Sequence, residues 1–181
     1  DATYGNNTWV LISTTGRCLY SASNGVTWLS STLPTLGAGE EWSAITYGDG
    51  AFTAVARGSS ISAYTTTGGS SWTTVNQTIG DDDWVDVAYG DHTYVAISGS
   101  SNTVKYSTDS GATWTESTVD NSGDSSANNW TQLKYGNGRF VAVSSEQNFA
   151  VYSFDGITWY KSNLLVNGIH LEYGNGVFML V

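Results

Sequence analysis

The chain is predicted to be all-β, a β-propeller of four-stranded antiparallel blades, on three observations. One unit recurs along its 181 residues: an aromatic hairpin, YG[ND]G-x-F, followed by a turn of the form YS-x-D-x-G-x-TW. The hairpin tyrosines are Tyr4, Tyr47, Tyr89, Tyr135 and Tyr173, spaced 43, 42, 46 and 38 residues apart. A period in this range marks stacked units, each unable to bury its apolar face alone. Within the unit, apolar residues alternate as strands do, and no helical pattern of useful length appears. Finally, all aromatic residues except Phe149, Phe154 and Tyr160 fall in repeating columns. Large flat rings on every strand are the filler that face-to-face sheets need.

Residues 84–116 show the four strands in order. Strand A is Trp84–Tyr89, and Gly90-Asp91-His92 turns the chain. Strand B is Tyr94–Ser98, followed by a polar loop to Asn102. Strand C is Thr103–Ser107, Asp109-Ser110-Gly111 is a turn, and strand D is Thr113–Glu116. Asn137-Gly138 and Asn175-Gly176 between A and B are two-residue hairpin signals, because such turns need positive φ at both positions. One domain is expected, with blades at about 1–30, 42–75, 84–117 and 130–162 and a partial blade at 169–181. The first unit begins at strand A and the last stops after strand B. The expectation is therefore about four and a half blades of a larger ring, or an open edge completed by another chain.

The C–D turn resembles the Asp-box, or bacterial neuraminidase repeat, S-x-D-x-G-x-x-W. Ser107, Asp109, Gly111 and Trp114 match it fully, and Ser153, Asp155, Gly156 and Trp159 match a version one residue shorter. In the first copy Ser23 stands for the acid between Ser21 and Gly25; in the second, Thr65 and Thr67 replace Ser and Asp. An Asp oxygen in such a turn accepts backbone N–H bonds, Gly takes positive φ, and Trp folds back onto the sheet. The resemblance implies a propeller and says little about activity, since the motif occurs in glycosidases, lectins, assembly factors and adhesins. The variant with YGNG-x-F and YS-x-DG-x-TW is similar to repeats of bacteriophage virion proteins and secreted bacterial proteins. It implies an extracellular or virion setting.

Composition narrows the function classes. Sixteen acids against six bases give a net charge of −10, a field that repels phosphate backbones and anionic membranes. No run approaches the ~18 apolar residues of a membrane span. The first residue is Asp1 and no signal segment opens the sequence, so a processed end or a piece of something longer is expected. Cys18 is the single cysteine and reads as a buried, inert thiol. His92 and His170, which a thiol nucleophile would need, belong to other repeats. Sequons at Asn6, Asn76 and Asn129 are read as accidents of an Asn- and Thr-rich chain.

Up-and-down topology puts the A–B and C–D turns on one regular face, and the B–C and D–A loops on an irregular face where function is expected. The B–C loops are 13–17, 57–60, 98–102 and 144–148; the D–A loops are 30–41, 76–83, 118–129 and 163–168. Candidate ligand-binding residues there are Arg17, Arg57, Asp81, Asp82, Asp83, Glu146 and Phe149. The Asp81–Asp83 run and 120–124 invite a hard cation, but successive residues of an extended segment point to opposite sides, so a solvated acidic loop is expected. Glu40-Glu41 occupies the matching place one blade earlier. Phe149 borders a B–C loop and is the best candidate platform for a sugar, although partial burial of its ring is the stronger expectation.

No catalytic residue, metal or cofactor is expected. Sialidases, which the Asp-box resemblance brings in, grip a carboxylate with converging arginines and use a tyrosine nucleophile. The three arginines here, Arg17, Arg57 and Arg139, fall on different faces. The expected function is a non-catalytic structural or binding module, most specifically a phage tail-fibre or capsid-surface protein. A glycan-binding adhesin is the second reading and a glycosidase the third. Expected partners are other virion or cell-surface proteins and glycans, and self-association through an unpaired blade edge is a further expectation.

Overall fold

The computed structural model describes residues 1–76, 79–119, 129–163 and 170–181, and among them every regular element is a strand. The first blade comprises β1 (Ala2–Gly5), β2 (Thr8–Ile12), β3 (Arg17–Ser21) and β4 (Leu29–Thr32). The second comprises β5 (Glu41–Gly48), β6 (Ala51–Ser59), β7 (Ile61–Thr65) and β8 (Thr73–Asn76). The third comprises β9 (Asp82–Gly90), β10 (Thr93–Ser98), β11 (Thr103–Ser107) and β12 (Thr115–Thr118). The fourth comprises β13 (Trp130–Gly136), β14 (Arg139–Ser144), β15 (Phe149–Ser153) and β16 (Tyr160–Asn163), and a further hairpin is β17 (Leu171–Gly174) with β18 (Val177–Leu180). Within each blade, consecutive strands pair antiparallel. The A strands β1, β5, β9, β13 and β17 touch in series, so the sheets fan about a common inner edge. This is a partial β-propeller of four-stranded blades.

The A–B hairpins form as their residues dictate. Asn137 and Gly138 have φ of 48° and 72°, and Asn175 and Gly176 have 51° and 80°, the left-handed pair that matches the strand twist. Each turn sets a tyrosine opposite an aromatic partner: Tyr4 faces Trp9, Tyr47 Phe52, Tyr89 Tyr94, Tyr135 Phe140 and Tyr173 Phe178. The ring centroids lie 4.7–5.0 Å apart in all five pairs.

The same hairpins join one blade to the next. Gly5, Gly48, Gly90 and Gly136, which follow the A-strand tyrosines, are buried under the tyrosine of the following blade. A Cβ on these glycines would lie 2.0, 2.0, 2.1 and 2.4 Å from atoms of Tyr47, Tyr89, Tyr135 and Tyr173 in turn. A side chain of any size would evict the ring. A second contact repeats beside it: the Asp-box glycine rests on strand B of the preceding blade. Gly111 lies against Thr53, and Gly156 against Val95.

Three expectations are corrected. Strand D starts later than expected, at Thr115 rather than Thr113, because Asp109 holds Thr113 in the turn. Trp28, Trp72, Trp114 and Trp159 accordingly close the turn, immediately before their D strands. Residues 57–59 are not a B–C loop but the end of β6; Arg57 and Ser59 pair with Asp83 and Asp82 of β9, fusing the second and third blades into one eight-stranded sheet.

Candidate functional site

The C–D turns that resemble Asp-boxes are held from within. Asp109 accepts from Thr113 N–H at 2.8 Å, Thr113 Oγ1 at 2.6 Å and Ser107 Oγ at 2.8 Å. Gly111 N–H is donated to Ser107 Oγ at 2.9 Å. Asp155 accepts from Ile157 and Thr158 N–H at 2.8 and 2.7 Å, and Gly156 donates to Ser153 at 2.8 Å. Burial opposes ionisation of both carboxyls, but these donors together hold each below the ordinary aspartate range. The two degenerate copies keep the geometry with hydroxyls. Ser23 Oγ accepts from Thr27 N–H at 2.9 Å, and Thr67 Oγ1 from Ser71 N–H at 3.2 Å. Trp114 is buried and donates its Nε1–H to Ser62 of the preceding blade at 3.1 Å; Trp159 is buried too. The box carboxylates and hydroxyls are engaged within the turns, while the indole N–H groups of Trp72 and Trp159 are buried without a partner among the described residues.

On the irregular face, two of the acidic candidates, Asp82 and Asp83, open β9 and are likewise engaged by the fold. Asp82 accepts from Ser98, Ser100 and Ser101 at 2.7, 3.0 and 2.8 Å, tying the B–C loop to the start of strand A. Burial raises its carboxyl, yet the serine hydroxyls and the Asp83 N–H outweigh that and leave it lowered. Glu40 repeats the device one blade earlier, accepting from Ser59 at 2.7 Å and from Gly37 N–H at 3.0 Å. Asp83 pairs with Arg57 at 3.0 Å across the joint between β9 and β6. Asp81 is exposed and stands apart from both. Among the described residues, no three His, Cys, Asp or Glu side chains gather as metal ligands. The 120–124 candidate lies outside the described residues.

Phe149 requires a correction. It is 4% exposed, meets Trp130 edge-on at 6.2 Å and is covered by Lys161 Nζ 3.8 Å from its ring centre. It is core, not an open platform, because β15 turns it toward the sheet interface. Glu146 is exposed and accepts from Asn129 Nδ2. Cys18 is fully buried, and burial pushes its thiol up, so the inert reading fits its place.

Arg17 is the candidate with a concave setting. It flanks a cavity of about 320 Å³ built from the first B–C loop and the first D–A loop. Gly16, at φ 82°, turns the chain so that its carbonyl receives Leu33 N–H at 2.8 Å, while Thr14 O receives Trp42 N–H at 3.1 Å. Buried Leu33 and Trp42 form the floor, and Trp42 Nε1–H is donated to Pro34 O at 3.3 Å. Glu40, fixed by Ser59 and Gly37, lines the cavity with Arg17. Arg57 is engaged with Asp83, and Arg139 lies 5.3 Å from the centre of the Phe154 ring. Arg17 forms no ion pair among the described residues. The sequence contained one signal for this pocket, the Thr-Thr-Gly-Arg loop facing the Pro34 loop, but nothing to show that they meet.

A second cavity, about 230 Å³, lies where the A strands converge and is lined by Asp1, Thr3, Thr46, Asp86 and Lys134 among others. Asp86 accepts from Leu133 N–H of the next blade at 2.8 Å, as Asp1 does from Ile45 N–H at 2.9 Å. Burial pushes Asp86 up to about 6, against the pull of those hydrogen bonds and Lys134. Sequence reading missed both residues, whose role is set by the neighbouring blade.

The fold and its inner cavity define a propeller-type module, and solved structures agree. No family model matches the sequence, and no curated relative matches it either. The chain is similar to a structure described as YCF48 bound to D1 peptide, with a TM-score of 0.71, 18% identity, and coverage of 97% of this chain and 56% of the other. It is similar to YCF48 from Cyanidioschyzon merolae at a TM-score of 0.72 and 15% identity, covering 98% of this chain and 60% of that one. A streptogramin B lyase structure matches at a TM-score of 0.66 and 12% identity, covering 87% and 54%. The chain thus spans less than two thirds of the length of these propellers, and at such identities the likeness shows the fold alone.

Proposed function

We propose that the protein is a non-catalytic binding and structural module of a virion or cell exterior, which holds a segment of a partner protein against its irregular face. The observation that carries this reading is the Arg17 cavity. It combines an apolar floor of Leu33 and Trp42 with a guanidinium that has no ion-pair partner among the described residues, on a chain whose net charge is −10. Such a site suits an extended segment that carries an apolar side chain and a carboxylate: the floor takes the first and Arg17 the second in a bidentate bond, while the Glu40 carboxylate in the same lining is held by Ser59 and Gly37. A propeller of this fold bound to a peptide supports the mode, and the Asp-box variant supports the setting. The non-catalytic reading rests on the dispersal of the three arginines and on the carboxylates that brace the fold at Asp82, Glu40, Asp109 and Asp155.

A glycan-binding reading keeps one specific support. Phe154 and Tyr160 are about half exposed and gather with Tyr152 into an aromatic cluster beside Arg139, on the outer side of the fourth blade. One comparison separates the two. The 181-residue chain is panned against a peptide-display library and screened on a glycan array, beside the Arg17→Glu and Phe154→Ala variants. Enrichment of carboxylate-bearing peptides that Arg17→Glu abolishes is expected. Saturable glycan binding lost in Phe154→Ala, or turnover of a fluorogenic glycoside, would overturn it.

A further inference from the structure

The cavity beside Arg17 carries a second charge, Glu40, and one oxygen of that carboxylate is unengaged. The cavity lies at the joint between the first two blades, each with all four strands in place. Its D–A loop makes the space. Leu33 and Ile79 are the equivalent buried anchors at the start of the first and second D–A loops, and Trp42 and Trp84 are the equivalent ends. Each indole N–H is donated to the carbonyl just after its anchor, that of Pro34 or of Gly80. Trp42 follows Leu33 by nine positions, but Trp84 follows Ile79 by only five. At the shorter joint β6 and β9 run together, and Arg57 pairs with Asp83 at 3.0 Å. At the longer one the extra residues stand off, and Thr35, Leu36 and Gly37 line a cavity instead.

The acids at the two joints differ in the same way. Asp82 uses both oxygens on the fold: Oδ1 accepts from Ser98, Ser100 and Asp83 N–H, and Oδ2 from Ser101. Glu40 makes both of its bonds through Oε2, from Ser59 at 2.7 Å and from Gly37 N–H at 3.0 Å. Oε1 accepts nothing among the described residues. The place beside it is bare backbone, since a Cβ on Gly37 would fall 2.9 Å from Oε1. The Ser59 hydroxyl and the Gly37 N–H hold the carboxyl below the ordinary glutamate range, so it is ionised at neutral pH. Glu40 and Arg17 line the same cavity, yet they do not pair with each other. An occupant that is acidic throughout would bring like charge to Glu40, whereas one that carries both signs satisfies both walls.

We propose that Glu40 is a specificity-determining residue of this cavity: its unengaged oxygen selects partner segments that carry a lysine or arginine beside the carboxylate and the apolar side chain, and rejects segments that are acidic throughout. The inference rests on the reading of the Arg17 cavity as a peptide site and adds the second charge to what that site takes.

The test begins with peptides enriched from a random display library on the 181-residue chain, keeping those that the Arg17→Glu variant no longer binds. The retained peptides should carry a basic residue as well as an acid. Fluorescence polarisation then compares one of them, labelled, with a copy in which the basic residue is replaced by glutamine. Both are titrated with the unmodified chain and with Glu40→Gln, whose amide oxygen still accepts from Ser59. With the unmodified chain the replacement should weaken binding about tenfold, the scale of one charge-assisted hydrogen bond at a partly open site. With Glu40→Gln the same replacement should change binding less than about twofold, because the partner charge is already gone. A melting temperature near that of the unmodified chain would show that the variant is folded, and the peptide-side replacement needs no variant at all. Retained peptides that lack a basic residue, or a replacement that costs the same with both chains, overturn selection by Glu40 and leave the Arg17 reading standing. A library that yields no peptide lost in Arg17→Glu overturns that reading and this inference with it.

Discussion

Replacing Gly48 by alanine tests whether the glycine seats hold the blades together. The added Cβ would fall 2.0 Å from Tyr89 Cγ and 2.1 Å from Cδ2. Carbon contacts are comfortable only near 3.5 Å, so the ring must move by about 1.5 Å. It cannot swing like the tip of a long side chain, because the clash is at its root. Overpacking of this kind costs about 1–3 kcal/mol, and losing the tilted pair with Tyr94 adds about 0.5–1.5 kcal/mol. Alanine returns about 0.4–1 kcal/mol by restraining the unfolded chain. A net loss of about 2–3 kcal/mol is expected, which for a chain of this size lowers Tm by about 4–12 °C. Gly174→Ala is the matched control, the same substitution in the same repeat position with no neighbour, and should stay within about 0.5 kcal/mol. Urea titration followed by tryptophan fluorescence reads both. Adding Tyr89→Ala should make the Gly48→Ala step nearly free, since the clashing ring is gone. Equal midpoints for Gly48→Ala and Gly174→Ala, or a Gly48→Ala cost undiminished by Tyr89→Ala, would refute the seat.

Two further outcomes follow from the carboxylates. Asp86 has a folded value raised to about 6. Its contribution to stability is therefore fully present below the unfolded aspartate value, near 4, and is lost as pH rises through about 6; the side chain borders a cavity, so the loss is about 1–3 kcal/mol. Asp86→Asn keeps an acceptor for Leu133 N–H and should flatten urea midpoints between pH 4 and 7 relative to the unmodified chain. In the boxes, Asp109→Ala removes a charged acceptor of three hydrogen bonds and should cost about 1.5–3 kcal/mol, and Ser23→Ala, which removes a hydroxyl, about 0.5–1.5 kcal/mol. The Asp109 contribution is present above the unfolded aspartate value and disappears as pH falls through its lowered folded one, so the two variants should converge in strong acid. Thermal melts at pH 7 and pH 2 check the order and the convergence.

Strand order and hairpin turns were legible because their causes are local. Asn137-Gly138 sets its own φ values, and Tyr135 meets Phe140 five residues on. The Asp-box was legible for the same reason, even where Ser23 and Thr67 replace the acid. What escaped depends on which blade stands next. Gly48 looks like any glycine after a strand until Tyr89 arrives 41 residues later, although the unbroken Tyr-Gly pair in all five copies was a usable signal. Arg57 reads as loop because Asp83, which extends β6 into the next blade, lies 26 residues away. The full burial of Phe149 was not legible because its cover, Trp130 and Lys161, comes from two other strands. The pocket at Arg17 depends on two loops meeting, and no periodicity encodes that.

The acids of this chain divide their labour, and the Arg17 cavity is lined by side chains of both charges, Arg17 and Glu40. Asp82 and Glu40 sit at the same place in consecutive blades and make the same bond, to the serine that ends strand B: Ser98 in one, Ser59 in the other. Where the fourth blade has Ser144, Glu146 donates its own N–H to that serine at 3.1 Å and points outward to Asn129. Asp82, which accepts from three serine hydroxyls and from Asp83 N–H, has little capacity left for a ligand cation or for proton transfer, because its lone pairs are already engaged. Within the densest acidic run, Asp82 thus braces the B–C loop against the start of strand A. Against that braced rim, Arg17 forms no ion pair among the described residues and stands beside an apolar floor that Glu40 also borders. On the proposed reading, the charge a partner must carry is set by the loops that place Arg17 and Glu40 around Gly16 rather than by the net −10.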